Sequence, residues 1–286
     1  MALRGKSPDF LKKRLKALFF GEAGVGKTTA ALQFPKPYLI DTERGAEHKQ
    51  YTDYLKNNGG AIFQTTNYDE LIAEIKALLS EKHDYKTLII DTLTIIYEDL
   101  IDKYSKDKNI GSGFGRHYSA AAIDMKRLSN LLLRLDMNVI IITHMKNEYS
   151  ATHDQKMEVI NQIPDCYKKL PYLFDLVLKM KKLGKFRKAE VIKSRIESFK
   201  TDEEFNFSYD EISSRYDKEI LEKQSKEEEL VSEEEINKLN KLIKLFNISE
   251  ESINKILDKI NCISIDEMTK EQAIKWISHL EQKINE

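Results

Sequence analysis

Residues 15–28 read LKALFFGEAGVGKT, and this stretch decides the fold class. From Gly21 to Thr28 it matches the pattern G-x-x-x-x-G-K-[ST], directly after a short apolar run. In such a loop the glycines let backbone N–H groups converge on a phosphate chain. The lysine reaches the β- and γ-phosphates, and the threonine hydroxyl binds Mg²⁺. The stretch therefore predicts a strand, a phosphate-binding loop and a helix that together bind ATP and Mg²⁺.

The predicted nucleotide ligands are the residues of the loop and the start of its helix. They are Gly21, Ala23, Gly24, Val25, Gly26, Lys27, Thr28 and Thr29. A second apolar run, Thr87–Asp91, ends in a carboxylate. Ligands of open α/β sheets bind beyond the carboxyl ends of the strands, so we predict that Asp91 and Thr28 hold Mg²⁺.

Short apolar runs alternate with amphipathic helical patterns as far as residue 145. Besides 15–20 and Thr87–Asp91, the runs are 38–41 and 138–143. Continuous apolar runs are typical of strands that are buried on both faces, and alternation with helices favours a parallel sheet. Three further runs, 174–180, 189–194 and 204–208, lack long helices between them and predict an antiparallel extension. The predicted fold class is α/β.

The chain of 286 residues is long enough for a large domain and an appendage. We predict an ATPase core at 1–216. Residues 217–231 are dense in charge and favour a linker or a solvated helix. Residues 232–286 carry three capped amphipathic patterns, which predict a small three-helix module.

Hydrolysis of ATP requires a group that orients the attacking water. Thr92 follows Asp91, and Glu98 lies further along the next helical pattern, so neither fits this role. Glu43 comes two residues after the run 38–41, at the same predicted sheet edge, and is the candidate; the alternative is a surface carboxylate in a loop. His144 follows the run 138–143 and either senses the γ-phosphate or is structural.

These four strand ends together resemble those of the RecA-like ATPases. Residues 40–43 (IDTE) are similar to the I-D-A-E segment of RecA, whose glutamate is the hydrolytic base, and this implies that role for Glu43. Residues 190–200 (EVIKSRIESFK) resemble a RecA strand with two cations that reach the γ-phosphate of the neighbouring subunit. The resemblance implies a catalytic role in trans for Lys193 and Arg195. Arg195 stands where that family has Lys, which keeps the charge but changes the donor geometry.

Two segments occupy the positions of the DNA-binding loops of RecA. Residues 105–116 are rich in glycine, and Phe114 or Tyr118 could stack on a base. Residues 145–170 are polar and long for a loop within a compact domain. The basic candidates for phosphate contacts in this second segment are Lys146, His153, Lys156, Lys168 and Lys169. The alternative interpretation is two ordinary mobile loops.

The net charge of −1 conceals two opposite blocks. Residues 179–200 contain nine basic and two acidic side chains, a net charge of +7, and residues 201–235 contain four basic and fourteen acidic ones, a net charge of −10. The basic block favours salt-sensitive DNA binding, or it forms a subunit interface or a hairpin shielded by the acidic segment.

Two distant cysteines and the lack of a long apolar run predict a cytoplasmic protein without a membrane partner, in the host cytoplasm if a phage encodes it.

The combined prediction is an ATPase that forms a ring or filament on single-stranded DNA and assists recombination or annealing. It resembles the small phage-type RecA-like proteins, with ATP at subunit junctions and the C-terminal helices available to a protein partner. One alternative is a nucleotide-gated switch that acts on a protein without DNA, and another is a small-molecule P-loop kinase. An AAA+ motor is disfavoured because Thr92 replaces the glutamate expected after Asp91.

Overall fold

The computed structural model describes residues 13–151 and 157–284. The described residues fall into two compact units. The first unit comprises the described residues up to Gln64, together with Asp84–Thr94 and Met137–Gln224. The second comprises Thr65–His83, Ile95–Asp136 and the described residues from Ser225 onward.

The first unit contains a nine-stranded sheet. Its strands are β1 (Lys16–Phe20), β2 (Pro37–Asp41), β3 (Ala61–Gln64), β4 (Thr87–Asp91), β5 (Asn138–Ala151), β6 (Met157–Asp165), β7 (Leu176–Leu183), β8 (Phe186–Ser194) and β9 (Glu204–Asn206). They are ordered β3-β2-β4-β5-β1-β7-β8-β9, and β6 pairs with β5. All pairings from β3 to β7 along this order are parallel, and β8 and β9 are antiparallel. The predicted α/β class is confirmed, although the antiparallel extension begins with β8 because β7 joins β1 in parallel.

Eleven α-helices are present in the described residues. They are α1 (Lys27–Ala31), α2 (Lys49–Asn57), α3 (Tyr68–Ser80), α4 (Leu93–Lys106), α5 (Arg116–Arg134), α6 (Leu170–Leu173), α7 (Tyr209–Tyr216), α8 (Lys218–Glu222), α9 (Glu233–Leu245), α10 (Glu250–Lys259) and α11 (Lys270–Gln282). In the part of the chain that the structure describes, none of them is long and apolar enough to cross a membrane.

The register of the central strands brings their carboxyl ends to one edge. Phe20 at the end of β1 lies opposite Thr143 of β5, and Asp91 at the end of β4 lies opposite both Asp41 and Ile142. The apolar side chains of these strands are buried, so a one-residue slip would place polar groups in the core. Burial of the strands therefore fixes the alignment of the residues that follow them.

The prediction of a loop at 145–170 is wrong, because this segment contains the end of β5 and all of β6. Strand β5 continues to Ala151 and pairs antiparallel with β6, with His144 opposite Asp165 at its base. This two-stranded β-ribbon exposes most of its side chains, so it has no continuous apolar run that would signal a strand. The predicted phosphate ligands His153 and Lys156 lie outside the described residues.

The second unit contains the three helices predicted at 232–286, here α9, α10 and α11. Each begins at a side-chain cap, Ser232, Ser249 and Thr269 respectively, and their apolar faces form one buried cluster that includes Trp276. An ion pair between Arg127 and Glu267 joins this region to α5. The division into core, linker and C-terminal module remains a prediction.

Candidate functional site

Neighbouring atoms leave no room for a Cβ at Gly21 or at Gly26, the first and last residues of the loop Gly21–Gly26. Gly21 follows β1, and a Cβ there would collide with the backbone carbonyl of Met180 on β7. Gly26 immediately precedes α1 with φ of +93°, a left-handed conformation that favours glycine, and a Cβ there would collide with the side chain of Arg187. The loop is therefore closely packed against β7 and β8.

Lys27, the first residue of α1, turns its side chain back over the loop. Its Nζ donates to the carbonyl oxygens of Gly21 and Glu22, each at 2.9 Å. Burial lowers the pKa of Lys27, while the nearby carboxylates of Asp91 and Glu43 act in the opposite direction. The cation thus lies in a partly desolvated cleft, where its interaction with a phosphate is stronger than in bulk water.

Thr28 and Asp91, the two predicted Mg²⁺ ligands, are in contact. The Thr28 hydroxyl donates to Asp91 Oδ2 at 2.5 Å. Burial raises the pKa of Asp91 to about 6, and the neighbouring carboxylates of Glu43 and Asp41 contribute in the same direction. A cation beside Asp91 would favour its charged form.

These two oxygen donors fit Mg²⁺, which usually takes one or two protein oxygens and completes its shell with substrate phosphates and water. No cluster of three or more His, Cys, Asp or Glu side chains able to hold a metal occurs among the described residues. Two oxygen donors suit a cation that arrives with a nucleotide and its phosphates. The chemistry that Mg²⁺ supplies when bound is neutralisation of phosphate charge.

The loop after β2 is fastened to the end of β4. The backbone N–H of Thr42 donates to the Asp91 carbonyl at 2.8 Å. The Thr42 hydroxyl donates to the Thr92 carbonyl at 2.9 Å and accepts from the Thr92 N–H at 2.8 Å. The buried carboxylate of Asp41 accepts from the N–H of Ala46 at 3.0 Å and so holds the same loop. These bonds bring Glu43 to the cleft that contains Asp91.

Glu43 and His144, both predicted catalytic residues, are in contact. Glu43 Oε1 lies 2.7 Å from His144 Nε2, and the two side chains are 43% and 47% exposed. The partial exposure allows a water molecule to reach the carboxylate. The candidate base and the candidate sensor are therefore joined by one hydrogen bond.

Thr94 connects this pair to the base of the β-ribbon. Its hydroxyl accepts from the N–H of His144 at 2.9 Å and donates to the carbonyl of Asp165 at 2.7 Å. His144 and Asp165 are opposite residues of β5 and β6. One side chain thus bridges both strands at the point where the ribbon leaves the site.

We predict that Thr94→Val loosens the ribbon and leaves the phosphate-binding loop intact. Valine keeps the shape but removes both hydrogen bonds, and each lost buried bond costs about 1–3 kcal/mol. Amide hydrogen exchange should rise about tenfold or more in residues 144–150 and 158–165, whereas exchange at 21–29 should not change. Thr201→Val, at an exposed threonine, is the control. Unchanged exchange in the ribbon would contradict the bridging role.

The loop, Asp91, Glu43 and His144 surround one cleft of about 870 Å³. Tyr51 of α2 also lines it, together with His48 and Gln50, which lie on either side of the first residue of that helix. The cleft is large enough for a nucleotide.

Lys193 and Arg195 do not line this cleft in their own chain. Lys193 Nζ donates to the carbonyl oxygens of Pro171 and Tyr172 at 3.0 and 3.1 Å, and to that of Phe174. Arg195 donates to the Tyr172 carbonyl at 2.5 Å. Both cations therefore bind the carbonyl end of α6, and burial lowers the pKa of Lys193. Their role in trans remains a prediction.

The residues predicted to contact DNA differ in their surroundings. In the first unit Lys146 forms an ion pair with Asp165 at 2.8 Å, whereas Lys168 and Lys169 are exposed. In the second unit Phe114 is fully exposed and Tyr118 is about half exposed.

Ion pairs neutralise part of the positive charge of the basic block at 179–200. Lys181 forms ion pairs with Glu190 and Glu204 at 2.7 and 2.6 Å. Glu190 is already counted in the net charge of +7, whereas Glu204 lies outside the block, so its carboxylate lowers the local positive charge further.

The sequence placed Arg187 only within this basic block, yet Arg187 lines the cleft that contains Lys27 and Asp91. A signal was present in β8, because Arg187 alternates with Ala189 and Val191, which are both buried in the core. Period-2 spacing puts Arg187 on the inward face of the strand.

The carboxyl ends of parallel strands thus bring the glycine-rich loop, Asp91 and Glu43 to one cleft. This is the arrangement that the sequence predicted for a P-loop ATPase core. A protein-family profile described as an AAA domain (AAA_24) matches residues 13–205, and the chain belongs to this family.

A comparison with curated proteins finds no match. Among solved structures, the chain is similar to the crystal structure of the RadB recombinase, with 18% identity and a TM-score of 0.41 over 68% of this chain and 87% of that one. The expectation that this chain is not an AAA+ motor still rests on Thr92 and remains a prediction.

Proposed function

We propose that this chain hydrolyses ATP with Mg²⁺ and uses the nucleotide cycle to control binding of single-stranded DNA during recombination or annealing. The observation that carries the proposal is the continuous set of contacts from Glu43 through His144 and Thr94 to both strands of the β-ribbon. Because these bonds begin at the candidate base and end at the ribbon, the γ-phosphate and the ribbon can influence each other.

In the proposed reaction, backbone N–H groups of the loop bind the α- and β-phosphates, and Lys27 exchanges its two carbonyl partners for the β- and γ-phosphates. Thr28 and Asp91 hold Mg²⁺. Glu43 accepts a hydrogen bond from the attacking water and orients it toward the γ-phosphate. His144 holds the Glu43 carboxylate until the γ-phosphate competes for its ring N–H.

DNA binding is proposed for the ribbon and for the exposed residues that follow it. Lys168 and Lys169 are exposed between β6 and α6, where they can contact phosphates. Phe114 and Tyr118 offer aromatic faces to unstacked bases. We further propose a cytoplasmic homo-oligomer, ring or filament, in which Lys193 and Arg195 reach the site of the neighbouring subunit, and a protein contact through α9–α11.

The decisive experiment is ATP turnover with and without single-stranded DNA across a salt series. We expect DNA to raise turnover severalfold at low salt and the stimulation to fall steeply as salt releases the phosphate contacts. The double variant K168Q/K169Q should reduce stimulation without changing turnover in the absence of DNA. The control K255Q/K275Q removes two exposed lysines from α10 and α11 and should not affect stimulation.

The same assay separates the alternatives. Turnover that DNA leaves unchanged but a protein partner alters would favour the nucleotide-gated switch. Transfer of the phosphate to a metabolite in preference to water would establish a small-molecule kinase.

A further inference from the structure

We infer that Arg187 is a same-chain ligand of the α- and β-phosphates; this inference rests on the proposed nucleotide site and adds a residue to it. Arg187 lies near the start of β8 and is paired with Lys182 of β7. Its guanidinium occupies the space that a Cβ of Gly26 would take, so it packs directly on the loop. It also lines the cleft that contains Lys27 and Asp91.

The buried Nε of Arg187 lacks a hydrogen-bond acceptor among the described residues. A buried guanidinium N–H without an acceptor is costly, and native structures rarely keep one. The adjacent Lys27 Nζ and the loop N–H groups are donors as well, so an anion in the cleft satisfies all of them. Phosphate oxygens suit the planar fork of arginine.

The position of Arg187 selects the phosphates. Gly26 belongs to the part of the loop whose N–H groups bind the α- and β-phosphates, whereas Glu43 and His144 serve the γ-phosphate end. Arg187 should therefore bind the part of the ligand that ADP and ATP share. It does so without a neighbouring subunit, in contrast to the proposed action of Lys193 and Arg195.

The test is equilibrium binding of Mg²⁺–ADP and of a non-hydrolysable Mg²⁺–ATP analogue, measured by calorimetry at one salt concentration. R187Q should weaken both ligands by about tenfold or more and to the same extent. R187K keeps the charge without the Nε donor and should show a smaller loss for both. K188Q is the matched control because the neighbouring Lys188 points to the opposite face of β8.

Equal affinity of the wild type and R187K for ADP would overturn the inference, as would a loss confined to the ATP analogue. Unfolding midpoints measured without nucleotide establish that each variant is folded. If R187Q does not fold, the affinity of R187K for the two ligands decides the test. If the wild type binds neither nucleotide, the proposed site itself fails, which is distinct from failure of Arg187.

Discussion

Lys27→Ala is expected to abolish measurable nucleotide binding and, with it, ATP turnover. The variant removes the cation whose Nζ lies over the loop within 2.9 Å of two of its carbonyl oxygens. Hydrogen bonds to charged groups contribute about 1.5–3 kcal/mol each, and Lys27 is placed to make at least two with phosphates. A loss of about 3 kcal/mol or more corresponds to at least a hundredfold weaker binding.

Titration with a fluorescent ATP analogue measures this effect, with the fold checked by thermal unfolding. Lys56→Ala is the control, since Lys56 is an exposed cation of α2 in the same unit. Wild-type affinity in the Lys27 variant would mean that nucleotides bind elsewhere. Loss of affinity in the Lys56 variant as well would point to a general charge effect.

The loop from Gly21 to Thr28 and Asp91 could be predicted because their signals are local. The motif is continuous in sequence, and each strand before a functional residue is an uninterrupted apolar run. Burial of such runs fixes their register, and the register alone brings Asp91 beside Asp41. For these residues, the apolar runs that predict the strands are also what fixes the strands in register, so the local pattern predicts the tertiary contact.

The contact between Glu43 and His144 could not be predicted to the same degree. Each residue follows a predicted strand, but their 2.7 Å contact depends on bonds between residues 50 apart, such as Thr42 with Thr92 and Thr94 with His144. Hydroxyl bridges of this kind have no periodicity in sequence. Arg187 was missed for a different reason, because a basic block suggests a solvated surface unless the alternation within β8 is followed residue by residue.

The second large effect is expected for Glu43→Gln, which should stop hydrolysis while leaving nucleotide affinity within about twofold of the wild type. Glutamine has the same shape and keeps an oxygen for His144 Nε2, but its amide is a poor base and orients the attacking water weakly. Positioned acid–base groups contribute about 10²–10⁴ in rate, so single-turnover hydrolysis should fall by at least a hundredfold.

Glu47→Gln is the matched control for this loss, because Glu47 is an exposed carboxylate four residues further along the same loop and bonds Gln64 rather than the cleft. Undiminished turnover in the Glu43 variant would remove Glu43 from the mechanism. Loss of affinity together with turnover would instead assign Glu43 to the structure of the loop that Asp41 and Thr42 hold. Retained affinity with lost turnover is the combination expected of a base at the γ-phosphate end. Such a variant would also stay bound to ATP. Amide hydrogen exchange of the β-ribbon could then be compared between the ATP-bound and ADP-bound forms.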